Sequence, residues 1–309
     1  MNLYYYRDPI GNFGDDLNPW IFGKLLPNFF DLEKINTSTD KIFVGIGTLL
    51  NKNIPKSPLK VVFGSGVGYG AAPNVHNDKY DIYCVRGPLS AAALTIPKRM
   101  AITDGALIMM NLSYPMIKQI KSKVSFMPHR RSAEAGDWKI ICQLAGLNYI
   151  DPRYNVERCL NEIRSSRILI TEAMHGAIVA DIFRIPWIPI QSYSHILGFK
   201  WRDWCESISV PYKPFQLPSI YRAKYFHDIE KWYYGSMNSR YMKIKFKLYK
   251  IAGALYARMT FSSRQGKIVK ILSKFSDRDA FLSKKSTLAT KNEEISEKFN
   301  KFKKKYCRL

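Results

Sequence analysis

Long apolar runs are missing from these 309 residues. None approaches the ~20 residues that a membrane-spanning helix needs, so no span is expected. The opening Met1-Asn2-Leu3-Tyr4-Tyr5-Tyr6-Arg7-Asp8 has neither the basic n-region nor the apolar h-region of a secretory signal. Cysteine is scarce, with five residues (Cys84, Cys142, Cys159, Cys205, Cys307) that are scattered and never in CxxC spacing. That pattern excludes a disulfide framework and fits a reducing cytoplasm. No Cys/His cluster offers metal ligands, so no metal is expected. Acidic side chains are few, 25 Asp and Glu against 48 Lys and Arg, for a net charge of +23. What is present is core material: 46% hydrophobic and 14% aromatic residues, which exclude a disordered chain. At about 100–200 residues per domain, the length suggests two domains, or two and a tail.

The charge is uneven. Residues 222–309 hold 23 Lys and Arg against 7 Asp and Glu, a net +16, so the first 221 residues are only mildly basic. Within the basic segment Ile244, Leu248, Ile251, Leu255 and Met259 recur at helical spacing among Lys243, Lys247, Lys250 and Arg258. Ile268, Val269, Ile271, Leu272 and Phe275 repeat the stripe. Basic amphipathic helices of this kind suit an anionic membrane surface, or pack their stripe on the body. No RNA- or DNA-binding motif accompanies the lysines, and nucleic acid is not expected as a partner.

The first 221 residues read as strand–helix units. β-rich runs occur at Leu3–Arg7, Lys41–Val44, Lys60–Phe63, Ile82–Val85 and Met100–Ile102, then at Lys123–Met127, Leu147–Ile150, Arg167–Ile170 and Trp187–Ile190. Helices are expected at Glu134–Ala145, Val156–Ser165 and Ala173–Phe183. Such alternation marks an α/β chain with parallel sheets. We expect two Rossmann-like domains, 1–118 and 119–221, facing a cleft, followed by a basic helical C-terminal tail, 222–309. Binding residues then gather at the carboxyl ends of the strands.

Several polar segments follow those strands. In Gly11–Ile21, Asn12 and Gly14 lie beside Asp15 and Asp16, and Asp16 or Asn18 is read as the cap of a helix starting at Pro19. That leaves Asp15 as the candidate for chemistry. The Gly64–Gly70 run, with Gly66 at its centre, resembles a phosphate cradle but lacks a P-loop lysine. Arg86 stands at a strand end, and His129, Arg130 and Arg131 form a cationic junction suited to carboxylate or phosphate. Glu172, His175 and Gly176 follow an apolar strand and open a helix, whose free N–H groups favour an anion. Trp187, Trp201 and Trp204 are core aromatics or sugar-stacking platforms.

Taken in order, the segments GNFGDDLNPWI (11–21), GIGTLL (45–50), VFGSGVGYG (62–70), CVRGPLSA (84–91), TDGALI (103–108), MPHRRSA (127–133), TEAMHGAIVAD (171–181) and KWRDW (200–204) resemble the polysaccharide pyruvyl transferase family. The likeness is to its exopolysaccharide, succinoglycan-type branch and covers about residues 1–215. It implies a fold of the GT-B glycosyltransferase kind and transfer of pyruvate from phosphoenolpyruvate to two hydroxyls of one sugar, leaving a cyclic ketal. Phosphoenolpyruvate is then the donor substrate, with no cofactor. A lipid-linked oligosaccharide or polysaccharide is the acceptor. The cysteine pattern and the basic tail, which lies outside the resemblance, lead us to expect a cytoplasmic protein peripheral on the inner face of the cytoplasmic membrane. Arg86, His129, Arg130, Arg131 and the helix start at His175 supply the donor's counter-charges. His175 carries a proton, and Glu172 or Asp15 lies nearest the acceptor hydroxyl. Where family members have Arg-Leu-His, this chain has Ala173-Met174-His175, keeping the histidine and not the arginine. The rival expectations are a GT-B glycosyltransferase with a nucleotide-sugar donor and a non-catalytic membrane-surface scaffold.

Overall fold

The computed structural model describes the chain apart from residues 32–40, 78, 116–122, 229–239, 276–277 and 308–309, with backbone alone at 227–228 and 240–244. Two parallel sheets organise it. The first runs β1 (Asn2–Tyr4), β2 (Ile42–Val44), β3 (Lys60–Phe63) and β4 (Tyr80–Cys84) in sequence order. The second has β5 (Lys123–Met127), β6 (Asn148–Tyr149), β7 (Ser166–Thr171), β8 (Trp187–Gln191) and β9 (Phe215–Gln216), arranged β6-β5-β7-β8-β9. Every pairing is parallel. β2 and β3 are buried along their whole length, as their unbroken Ile-Phe-Val and Val-Val-Phe runs require of strands covered on both faces. The chain is thus α/β with two parallel sheets.

The expected run Met100–Ile102 is not a strand. Lys98–Met100 is a single 3-10 turn, and Ala101 makes only an isolated bridge to Val85. β9 was not foreseen, since two residues carry no readable period. Helix α1 (Phe13–Leu25) starts six residues earlier than expected, with Asn12 at its N-cap and Pro19 inside it. Proline there withholds the N–H that would bond the Asp15 carbonyl. The Asn18 side chain replaces it, donating to Asp15 O at 3.1 Å. Asp16 serves the cap by accepting the Asn12 N–H at 3.1 Å. The helix region expected at Glu134–Ala145 is two helices, α3 (Arg130–Ala135) and α4 (Trp138–Leu144), parted at Gly136. Further helices are α2 (Pro88–Ala93), α5 (Val156–Arg164), α6 (Met174–Ile182), α7 (Gly198–Ser207) and α8 (Ala223–Asp228).

The segment expected as a tail forms two long helices, α9 (Arg240–Leu272) and α10 (Lys285–Tyr306). The end of α9 buries Ile268 and Leu272, with Phe275 just beyond, in the core of the second sheet. α10 returns to the first sheet: Phe302 lies 5.0 Å from Phe43, and Phe299 5.5 Å from Phe63, centroid to centroid. Phe302 is wholly buried, and burial of one such ring stabilises by about 1.5–3 kcal/mol. These parts of the basic segment are integral to the two cores. The expected boundary at 118/119 lies outside the described residues.

Candidate functional site

A cavity of about 550 Å³ opens where the carboxyl ends of the two sheets meet. Tyr4, Tyr5 and Tyr6 reach it from the end of β1, and Gly47 and Thr48 from the loop after β2. Met127, His129 and Arg131 come from the end of β5, and Ala173, Met174 and His175 from the end of β7. The parallel topology explains the position, because strand carboxyl ends of both sheets deliver their loops to one crevice.

His175 is the second residue of α6. Its Nε2 faces Asp104 Oδ2 at 3.7 Å, and neither atom makes a hydrogen bond among the described residues. Asp104 is fully buried and caps the turn Gly105–Asn111 through Oδ1, which accepts the Ala106 N–H at 3.0 Å. The other side of the ring meets α1. A Cβ on Gly14 would fall 2.2 Å from His175 Nδ1, so only glycine lets α1 approach this histidine. Asp15, next along α1, lines the cavity and accepts from Asn12 Nδ2 at 2.5 Å. Burial pushes its carboxyl up to about 6, while His175, the Asn12 hydrogen bond and Lys200 pull it back. A carboxyl poised there exchanges protons near neutral pH.

His129 has the opposite surroundings. Burial, then the charges of Lys200, His195, Arg131 and Arg130, hold its ring well below the usual histidine range. Its Nδ1 accepts the Arg131 backbone N–H at 3.2 Å as the N-cap of α3. His195 lies 5.1 Å away, centroid to centroid, and burial with Arg131 and Lys200 lowers it to about 4.

The cations divide by partner. Arg130 faces the cavity already spent, at 2.7 Å from Asp8 and 3.0 Å from Glu134. Arg131 and Lys200 also line it, and no salt bridge joins either to a carboxylate among the described residues. Lys200 Nζ donates to Tyr69 Oη at 3.2 Å. Ala173 and Met174 bring no charge to the wall, so Arg131 and Lys200 supply positive charge there.

Four expected residues do not line the cavity. Arg86 is fully buried, bonding Asp203 at 2.9 Å, Thr48 at 2.7 Å and the Val67 carbonyl at 2.7 Å. Its charge is consumed tying α7 to the first sheet. Gly66 serves that arginine: a Cβ there would sit 2.3 Å from the guanidinium carbon, so the close approach at this glycine makes room for Arg86. Glu172 is buried behind the wall, accepting backbone N–H groups of Ser192 at 2.8 Å and His129 at 3.3 Å. It fixes the loop that carries His129 and does not reach the cavity wall. Gly176 packs inward against Met127 and Thr171. Trp187, Trp201 and Trp204 are buried against one another and are core aromatics.

Lys200, Asp104 and Tyr69 stand in the segments KWRDW, TDGALI and VFGSGVGYG, and nothing local in those segments signals that their side chains serve the cleft.

Comparison with known proteins places the chain in a family. The family model for polysaccharide pyruvyl transferases matches residues 3–195, and the chain belongs to that family. It is a transferase. Among curated proteins it is similar to the succinoglycan biosynthesis protein ExoV of Rhizobium meliloti (strain 1021). The two are 41% identical over 227 residues, covering 72% of this chain and 70% of ExoV. The family model's range, residues 3–195, contains every residue described above at the cavity except Lys200.

Proposed function

We propose that the protein transfers pyruvate from phosphoenolpyruvate onto two hydroxyls of one sugar in an exopolysaccharide or capsular repeat unit, forming a cyclic ketal. The observation that carries this reading is the pairing, across one cavity, of His175 and Asp15 with the cations Arg131 and Lys200, which no salt bridge joins to a carboxylate among the described residues. Phosphoenolpyruvate brings a phosphate and a carboxylate, and the two cations supply their counter-charges. A 550 Å³ space accommodates that donor together with a sugar ring. Tyr4, Tyr6, Tyr69, Asn51 and Asn53 on the wall offer ring faces and hydrogen-bonding groups to the sugar.

The chemistry balances as follows. A proton adds to the vinyl CH2 of the donor, making a methyl group and oxocarbenium character at the neighbouring carbon. One sugar oxygen bonds to that carbon and loses its proton to a base. The C–O bond to phosphate breaks, the second sugar oxygen closes the ring, and its proton leaves with inorganic phosphate. Of the two hydroxyl protons, one is accounted for by the methyl group and the other by phosphate.

Asp15 and His175 share this traffic. Asp15, protonated up to about pH 6, gives and regains the proton, and His175 takes it from the acceptor hydroxyl or relays it. Asp104 is a positioning residue that faces Nε2 and stabilises the ring when it carries a proton. His129, held neutral, presents a ring nitrogen without adding charge. The two-sheet architecture is read as the GT-B kind. The acceptor is read as lipid-linked, with the protein peripheral on the inner face of the cytoplasmic membrane.

The test is donor preference. Phosphoenolpyruvate is expected to raise the thermal midpoint and to release phosphate only when an acceptor with a free hydroxyl pair is present. Stabilisation by nucleotide sugars and none by phosphoenolpyruvate would establish a glycosyltransferase in its place.

A further inference from the structure

Helix α9 differs from the rest of the surface. Its 33 residues include nine Lys and Arg and no Asp or Glu. One side of it is committed: Ala254 and Ala257 are buried on Phe226, and a Cβ on Gly253 would come within 2.4 Å of that ring. The opposite side is apolar and open to solvent. Leu248 is 63% exposed, Leu255 54% and Met259 84%, with Ile251 between them also exposed. At 3.6 residues per turn, these four fall on one stripe pointing away from Phe226. Lys245, Lys247 and Arg258 are exposed along its margins. An apolar stripe of this length left in water marks a docking face.

The charge identifies what docks. A protein partner of ordinary composition, or a second copy pairing the same face, would set this helix against like charges or against nothing complementary. An anionic bilayer surface meets both features at once, taking the apolar side chains at the headgroup boundary and the lysines at its phosphates. No helix in the described residues is long and apolar enough to cross a membrane, so the helix lies on the surface. We infer that the solvent face of α9, centred on Leu248, Ile251, Leu255 and Met259, is the membrane-contact surface of this protein. This deepens the membrane reading above by assigning it to one face, and it excludes α10. The apolar stripe of α10 (Leu288, Ile295, Phe299, Phe302) is buried in the first core, so that helix has none to offer.

The experiment is flotation of the full chain with phosphatidylglycerol-containing vesicles and with phosphatidylcholine vesicles, at low and high salt. The wild type is expected to float with anionic vesicles and to be released by salt. Leu248→Ser/Leu255→Ser/Met259→Ser, which keeps every charge, is expected to lower partitioning by about tenfold or more. Lys245→Gln/Lys247→Gln/Arg258→Gln is expected to do the same at low salt. All six side chains are exposed, so both variants should keep the wild-type melting midpoint and phosphate release with a soluble acceptor. If the variants float as well as the wild type, the contact face lies elsewhere and this inference fails while the membrane reading stands. If the wild type does not float with anionic vesicles, both fail. A wild-type dimer in solution that the serine variant converts to monomer, without flotation, assigns the stripe to a second copy and overturns the inference.

Discussion

Two histidines stand in equivalent places and have opposite surroundings. His129 follows β5 and His175 follows β7, each opens a helix, and both line the same cavity. His175 faces the carboxylate of Asp104 and lies beside Asp15, both contributed by the first half of the chain. His129 is ringed by Lys200, His195, Arg131 and Arg130 and is held neutral. A histidine at the end of a parallel strand is therefore a position, and the neighbouring element decides its chemistry. Here the first half of the chain gives acids to one histidine, and the second half surrounds the other with cations.

The comparison breaks most visibly at His175. His175→Ala is expected to lower the turnover of phosphoenolpyruvate-dependent phosphate release by about 10³–10⁴-fold, measured at saturating donor. Asp104→Asn should cost about 10²-fold in kcat with little change in KM. It should also move the acid limb of the pH–rate profile, because the isosteric amide keeps the cap to Ala106 and removes only the charge facing Nε2. A purely structural Asp104 would leave that profile in place.

Asp15 gives a prediction with two signs. Its carboxyl is near 6 in the folded chain against 3.8 as the reference value, so the folded state holds the proton more tightly. The resulting stabilisation is complete below about pH 4 and is lost as pH rises through 6. Asp15→Asn should raise the melting midpoint at pH 7 by about 2–4 °C while lowering turnover by about 10–10²-fold. The smallest effect belongs to the neutral side of the comparison. His195 is lowered from 6.5 to about 4, so its stabilising share is present above pH 6.5 and lost as pH falls through 4. His195→Gln should flatten stability between pH 6.5 and 4 in melting curves and leave turnover within a few-fold of wild type.

The strands were legible where burial is two-sided. Lys60–Phe63 and Lys123–Met127 have the limits that their apolar runs suggest, and the loops after β1, β5 and β7 do carry cavity residues. Partners distant in sequence were not legible. Arg86 reads as a free cation at a strand end, and only the fold brings Asp203, 117 residues on, to neutralise it. Glu172 and His175 are three residues apart and look like a pair, yet one points behind the wall and the other into the cavity. The glycine-rich run signals close approach correctly, but the group that approaches Gly66 is a guanidinium of the same chain. The charge of the last 88 residues also needed the fold: both its helices are basic with an apolar stripe, and only packing shows that α10 is core and the middle of α9 is surface.

The most direct test is one assay on three proteins: phosphoenolpyruvate-dependent phosphate release by wild type, His175→Ala and His129→Ala with the same acceptor. The arrangement of acids and cations predicts a loss of about 10³-fold or more at His175 and no more than about tenfold at His129. Equal losses at the two positions, or a larger one at His129, would contradict it.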